Sequence, residues 1–256
     1  MRRLWRGVLV LTAALSGCTV PPPTRQPMDM HVFMSPQGSG ERAVVFLPGR
    51  KDRPDDFVTN AFLSALWARY PDSDAYIPDA HLGFYAERVI IERLHEDVFA
   101  PLRARGYRDI SVVGVSMGGL GALLYSHRHP AYVDRIALLA PYLGEQALID
   151  EVRAAGGPRS WTGPRPGARI DGLTELWGWL AQWPQRPPAM PVHLAYGADD
   201  RFAPANAMLG DLLPPERTFT REGGHRWVVW QALWQQLLDK QGFMSAPDAQ
   251  RTTANR

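Results

Sequence analysis

Ser116 lies in Gly114-Val115-Ser116-Met117-Gly118, a serine with a glycine two residues to either side. An apolar, β-branched run from Ile110 to Val115 precedes it, and a small-residue segment suited to a helix, Gly119 to Leu124, follows. Gly-x-Ser-x-Gly between a strand and a helix is the arrangement that holds a serine hydroxyl above a sheet on a sharp, strained turn. Side chains at Gly114 and Gly118 would collide with the neighbouring strand and helix, which the glycines avoid. The first N–H groups of the helix, starting at Met117, then point towards negative charge developing on a substrate oxygen. The chemistry is nucleophilic attack by Ser116. A hydroxyl so weakly acidic needs a base to take its proton.

The elements that must position such a base follow from the hydrophobic pattern. Ala43–Leu47 is a continuous apolar strand of the kind buried in a parallel sheet. His31 to Ser35 alternates weakly and reads as an early antiparallel strand. Further strands are expected at 74–78, 110–115, 135–140, 191–196 and 217–221. Helices are expected over 55–70, 83–105, the segment ending at His129 before Pro130, 205–212 and 227–240. Strands and helices alternating at this spacing predict a doubly wound, mainly parallel α/β sheet. The alternation is interrupted from Pro141 to Ala189, which holds four of the nine tryptophans and a helical pattern through Leu173, Leu176, Trp177 and Leu180. This stretch is expected to form a helical, lid-like insertion (141–189) over the site, with Trp177 in the substrate wall.

Taken together, residues 40 to 241 resemble the α/β-hydrolase family of serine esterases and lipases. The resemblance implies the chain order serine, acid, histidine. Gly197-Ala198-Asp199-Asp200, followed by Arg201-Phe202-Ala203-Pro204, resembles the family's Gly-x-x-Asp loop and points to Asp200 as the acid, with Asp199 beside it as the alternative. His225 follows Gly223-Gly224 and precedes the last helix, where the family carries its base; of the seven histidines it alone lies after the acid loop. His193 falls inside a strand, and His127 and His129 end a helix. The oxyanion hole is expected to use the Met117 N–H and an amide of the Pro48-Gly49-Arg50 loop. Many relatives have His-Gly-x there; aligning the glycine implicates the Arg50 N–H, with Gly49 N–H open as the alternative. His81 and Tyr85 follow another strand end and are candidates for lining the pocket, against the plainer reading of a loop histidine and a core tyrosine.

The N-terminus has a character of its own. Met1 to Arg6 is positive, Gly7 to Leu15 is apolar but too short to span a bilayer, and Leu15-Ser16-Gly17-Cys18 follows. This resembles a bacterial lipoprotein signal (1–17), implying cleavage and lipidation of Cys18, the only cysteine of the chain. A Pro-rich extended tether (18–29), the hydrolase domain (30–242) and a disordered polar tail (243–256) would complete the chain. Thr19 stands where an aspartate often retains lipoproteins at the inner membrane, so an outer-membrane location facing the periplasm is expected in a double-membraned host.

Over its 256 residues the chain is 45 % hydrophobic and 21 % charged, an ordinary globular composition. The formal charge of +2 depends on Arg2, Arg3 and Arg6 of the leader, so nothing suggests a nucleic-acid partner. No metal-ligand spacing or phosphate loop occurs, and no cofactor is implied. The expected function is hydrolysis of an ester or thioester with an acyl or lipid-like portion, through an acyl-enzyme. An amidase or peptidase using the same triad, and a non-catalytic envelope binding protein on this scaffold, are the alternatives.

Overall fold

The computed structural model describes residues 21–38, 40–164, 171–240 and 243–244. Among them, β1 (Met30–Phe33), β2 (Arg42–Leu47), β3 (Ser73–Pro78), β4 (Asp109–Val115), β5 (Arg135–Leu139), β6 (Val192–Gly197) and β7 (Thr218–Arg221) form one sheet. Their spatial order is β1-β3-β2-β4-β5-β6-β7, parallel throughout except for the antiparallel pair β1 and β3. This is the doubly wound, mainly parallel sheet that the alternating pattern predicts. β4 is central and buried along its whole length, as its Val/Ile-rich composition requires of a strand covered on both faces.

Strand order reverses at β2, with β3 on one side and β4 on the other. Such a switch opens a crevice at the carboxyl ends of the strands. Leu47 pairs in register with Gly114, so the loop after β2 and the turn after β4 leave the sheet side by side. The chemistry of the molecule is set by that adjacency.

Two helices expected to be continuous are broken. The segment 55–70 forms α1 (Pro54–Thr59) and α2 (Phe62–Trp67), separated where Ala61 adopts a left-handed backbone with φ 59°. The segment 83–105 forms α3 (Leu82–Ala86), a break at Arg88 with φ 62°, and α4 (Ile90–Leu94). A π-helical turn at His95–Phe99 then leads into α5 (Ala100–Ala104). The wide turn stands directly before Pro101, which has no N–H to offer the Asp97 carbonyl one turn back.

α6 (Met117–Arg128) follows the serine turn and packs along β4. The insertion contributes α7 (Gln146–Ala154) and α8 (Gly172–Leu180). Asp171 caps α8, accepting from the Leu173 and Thr174 amides at 3.1 Å each. Trp177, expected in a substrate wall, is instead fully buried, and its indole N–H donates to the Leu143 carbonyl at 2.8 Å. It pins α8 to the loop after β5, where the insertion begins. α9 (Ala203–Gly210) and α10 (Trp227–Asp239) close the fold, with Trp234 of α10 stacked on Phe62 of α2 at 5.8 Å.

Both ends of the domain extend beyond the expected boundaries. Phe243 and Met244 are buried, with the Phe243 ring edge-on to His193 at 5.0 Å and to Trp234 at 6.0 Å. The segment 21–29, expected to be a free tether, lies against the domain. Met28 is buried and its N–H donates to the Asp97 carboxylate at 2.9 Å, while the Thr24 hydroxyl donates to Glu87 at 2.7 Å. The leader 1–17, Cys18 and the tail beyond Met244 lie outside the described residues.

Candidate active site

Ser116 joins β4 to α6 with φ 52° and ψ −113°, a sparsely populated backbone for a residue with a Cβ. The surroundings hold it there. Its N–H donates to the Leu139 carbonyl at 2.9 Å, and its own carbonyl accepts from Gly119 at 3.0 Å and Tyr142 at 2.9 Å. The flanking glycines are needed for space. A Cβ at Gly118 would lie 2.0 Å from the Leu47 carbonyl oxygen, and one at Gly114 would lie 2.4 Å from the Gly118 carbonyl oxygen.

His225 reaches back from the loop between β7 and α10. Its Nε2 lies 2.9 Å from Ser116 Oγ, and its Nδ1 lies 2.7 Å from Asp200 Oδ2. The Asp200 side chain is wholly buried, and its other oxygen accepts the Phe202 N–H at 2.8 Å. Asp199, one residue earlier, points the other way and accepts the Gly223 N–H at 2.9 Å. The adjacent carboxylates therefore divide the work: Asp200 meets the imidazole, and Asp199 ties down the loop that carries it. That loop passes so close to β6 that a Cβ at Gly197 would lie 2.0 Å from the Gly223 carbonyl oxygen. The His225 ring is set between the edges of Phe202 at 4.9 Å and Trp230 at 4.7 Å. With Nδ1–H held by a buried carboxylate, Nε2 is left as the acceptor facing the serine hydroxyl.

The loop after β2 lies against this pair. A Cβ added to Gly49 would lie 3.3 Å from Ser116 Cβ. Asp52 closes a turn, its N–H donating to the Gly49 carbonyl at 3.2 Å, and its carboxylate accepts the Trp227 indole N–H at 3.1 Å. Burial pushes the Asp52 carboxyl above its ordinary pKa, while hydrogen bonds from Trp227 and the Gly49 amide, and the nearby His225, pull it back. Neither Asp52 nor Trp227 carries a sequence motif. The signal available was position alone: Asp52 three residues after the loop glycine, Trp227 two after the histidine.

His81 and Tyr85 take different places. His81 Nδ1 accepts the Gly83 N–H at 3.1 Å and caps α3, with its ring on Phe84 at 4.7 Å. It also borders a groove of about 990 Å³ that runs from Arg50 and Asp52 to the segment 22–31. Tyr85 donates its hydroxyl to the Met117 carbonyl at 3.1 Å, and burial pushes its phenol pKa well up. It braces the first turn of α6 from below. Trp177, as described above, is away from the pocket. The rim the sequence did not reveal includes Tyr142, whose ring meets Phe202 at 5.5 Å and whose hydroxyl donates to Glu145 at 2.6 Å.

The fold is shared with solved serine hydrolases. An S-formylglutathione hydrolase from Staphylococcus aureus superposes with a TM-score of 0.57 at 12 % identity, covering 86 % of this chain and 94 % of that one. A substrate-bound, fluorophosphonate-binding serine hydrolase from the same organism gives 0.56 at 10 % identity, over 86 % and 95 % of the two chains. Est1E from Butyrivibrio proteoclasticus, with ferulic acid bound, gives 0.52 at 14 % identity, over 82 % and 94 %. At such identities the likeness is one of fold. No curated protein matches in sequence. The Esterase family model, described as "Putative esterase", matches residues 85–241, from Tyr85 through the serine turn and the acid and histidine loops. That span is more than half of the chain, and the protein belongs to the Esterase family, hydrolases of the α/β-hydrolase fold.

Proposed function

We propose that the protein is a serine esterase that cleaves a carboxylic ester or thioester through an acyl-enzyme, anchored by a lipidated Cys18 in the bacterial envelope. The observation that carries the catalytic part is the unbroken chain Ser116 Oγ, His225, Asp200, at 2.9 and 2.7 Å, on a strained strand-to-helix turn. Family membership supports the class of bond. The lipoprotein-like leader and the single cysteine support the anchor, on the outer membrane facing the periplasm where the host has two membranes.

In this reading Ser116 Oγ attacks the substrate carbonyl while His225 Nε2 takes its proton. Asp200 fixes the imidazole in the tautomer with Nδ1–H and stabilises the charge that the ring acquires. The oxyanion is held by the N–H groups of Met117 and Arg50, the first free donor of α6 and the amide that follows Gly49. Collapse expels the alcohol or thiol, which takes the proton from His225, and leaves an ester on Ser116. Water then repeats the sequence and releases the acid. Two backbone donors in a preorganised hole are worth roughly 10²–10³-fold each in related sites.

Rapid mixing with 4-nitrophenyl acetate tests the two-step course. A burst of nitrophenol equal to the enzyme concentration, followed by a slower steady rate, is expected when deacylation limits turnover. A panel of esters, thioesters and anilides read alongside it gives the bond preference. Hydrolysis of anilides in preference to esters would replace the esterase assignment with an amidase.

A further inference from the structure

Two loops bring groups to Ser116 from different parts of the sheet. One leaves β2 and carries Arg50; the other leaves β7 and carries His225. Between β2 and β7 stand β4, β5 and β6, so no sheet hydrogen bond sets the distance from one loop to the other. Catalysis depends on that distance, because one loop serves the oxyanion and the other the proton of the same intermediate. A side-chain hydrogen bond joins them. The Trp227 indole N–H donates to Asp52 Oδ1 at 3.1 Å, across 175 positions of sequence.

Both ends of this bond lie next to the chemistry. On the first loop the Asp52 N–H closes a turn on the Gly49 carbonyl at 3.2 Å, with Arg50 and Lys51 as its central residues, so the turn sets the direction of the Arg50 N–H. The Asp52 carboxylate folds back over the same turn: a Cβ on Gly49 would run into Oδ2, and would lie 3.3 Å from Ser116 Cβ. On the second loop Trp227 is the first residue of α10, two after His225. Its ring is edge-on to Trp230 at 5.3 Å, and Trp230 is edge-on to His225 at 4.7 Å. It also meets Phe57 at 5.2 Å and Phe62 at 5.3 Å. Ring packing places the indole but has little direction of its own, whereas an N–H donated to a carboxylate is directional.

We propose that Asp52 and Trp227 are positioning residues: their hydrogen bond fixes the Arg50 loop against the His225 loop, so that the oxyanion donor and the base meet the same intermediate. The proposal rests on the esterase mechanism and the oxyanion hole proposed above. Asp200 already sets the tautomer of the imidazole, and Asp52 acts through the two loops. The test uses the full-length protein with 4-nitrophenyl acetate. Trp227→Phe keeps an aromatic ring and removes the donor; Asp52→Ala removes the acceptor. Each should lower kcat about tenfold, a fraction of the roughly 10²–10³-fold cost of losing an oxyanion donor outright. Acylation and deacylation use the same hole, so KM should stay within about twofold of wild type. A trifluoromethyl ketone, which Ser116 converts to a hemiketal oxyanion, should bind about tenfold more weakly to both variants. The double variant should fall within about twofold of the weaker single one, since both changes break one bond. Asp52→Asn keeps an acceptor for the indole and should stay within about threefold of wild type. A purely structural role would shift the urea midpoint and leave the ketone affinity of the folded protein unchanged. Unchanged ketone affinity, wild-type turnover in Trp227→Phe, multiplicative losses in the double variant, or an Asp52→Asn loss equal to that of Asp52→Ala would overturn the proposal. A folded wild type that neither cleaves the ester nor binds the ketone would instead overturn the esterase reading.

Discussion

Asp199 and Asp200 are the same side chain on successive residues, yet only one meets the histidine. The turn after β6, closed by the Asp200 N–H on the Gly197 carbonyl at 3.1 Å, sends one carboxylate to His225 and the other to the Gly223 amide. Asp200→Asn is expected to lower kcat by roughly 10³-fold with the fold intact, because the imidazole loses the partner that fixes its tautomer and stabilises its charge. Asp199→Asn keeps an acceptor for Gly223 and should cost less than about tenfold; steady-state kinetics with circular dichroism on both variants decide this. Among the other histidines, His193 stands out. It is buried in β6 with Nδ1 unpartnered among the described residues, and burial lowers its pKa to about 4. The unfolded chain, with a histidine pKa near 6.5, binds more protons between those values, so stability falls as pH drops through that window. The loss attributable to this residue is about 2 kcal/mol between pH 7 and pH 5. Urea midpoints at the two pH values should show it in wild type and show it diminished in His193→Leu.

At the scale of elements, the inner strands β2, β4, β5 and β6 were legible because they are mainly apolar stretches bounded by turn residues, and burial on both faces leaves a parallel strand little choice of composition. The helix interruptions were not. Ala61 and Arg88 take left-handed backbones that neither residue type announces; the neighbouring packing holds them there. The serine turn was readable since its glycines answer a local steric demand, whereas Asp52 and Trp227 meet only through tertiary structure across 175 positions. The helical pattern of the insertion was read correctly, but not its direction: the face with Trp177 turns inward to the Leu143 carbonyl. The insertion's second helix depends on its cap. Asp171→Ala removes the acceptor for two amides at the start of α8 and should cost about 1 kcal/mol, read as a shift in the urea midpoint at pH 7.

For the whole molecule, the crevice where strand order reverses gathers side chains far apart in sequence. Gly49 comes from the end of β2, Ser116 from β4, Asp200 from beyond β6 and His225 from beyond β7. The order serine, acid, histidine was visible in the chain, but the closeness of the N-terminal segment to the same crevice was not, since a Pro-rich stretch reads as a free linker whether or not something covers it. Two ends that composition alone would release, 21–29 and 243–244, are held by single buried anchors, Met28 and the Phe243–Met244 pair. The account turns on one claim, that Ser116 is an activated nucleophile. Labelling of the folded protein with a fluorescent fluorophosphonate, wild type beside Ser116→Ala, tests it most directly. The account predicts one stable adduct per chain, located on Ser116 by peptide mass and absent from the variant. A folded wild type that takes up no label, or equal labelling of Ser116→Ala, would contradict it.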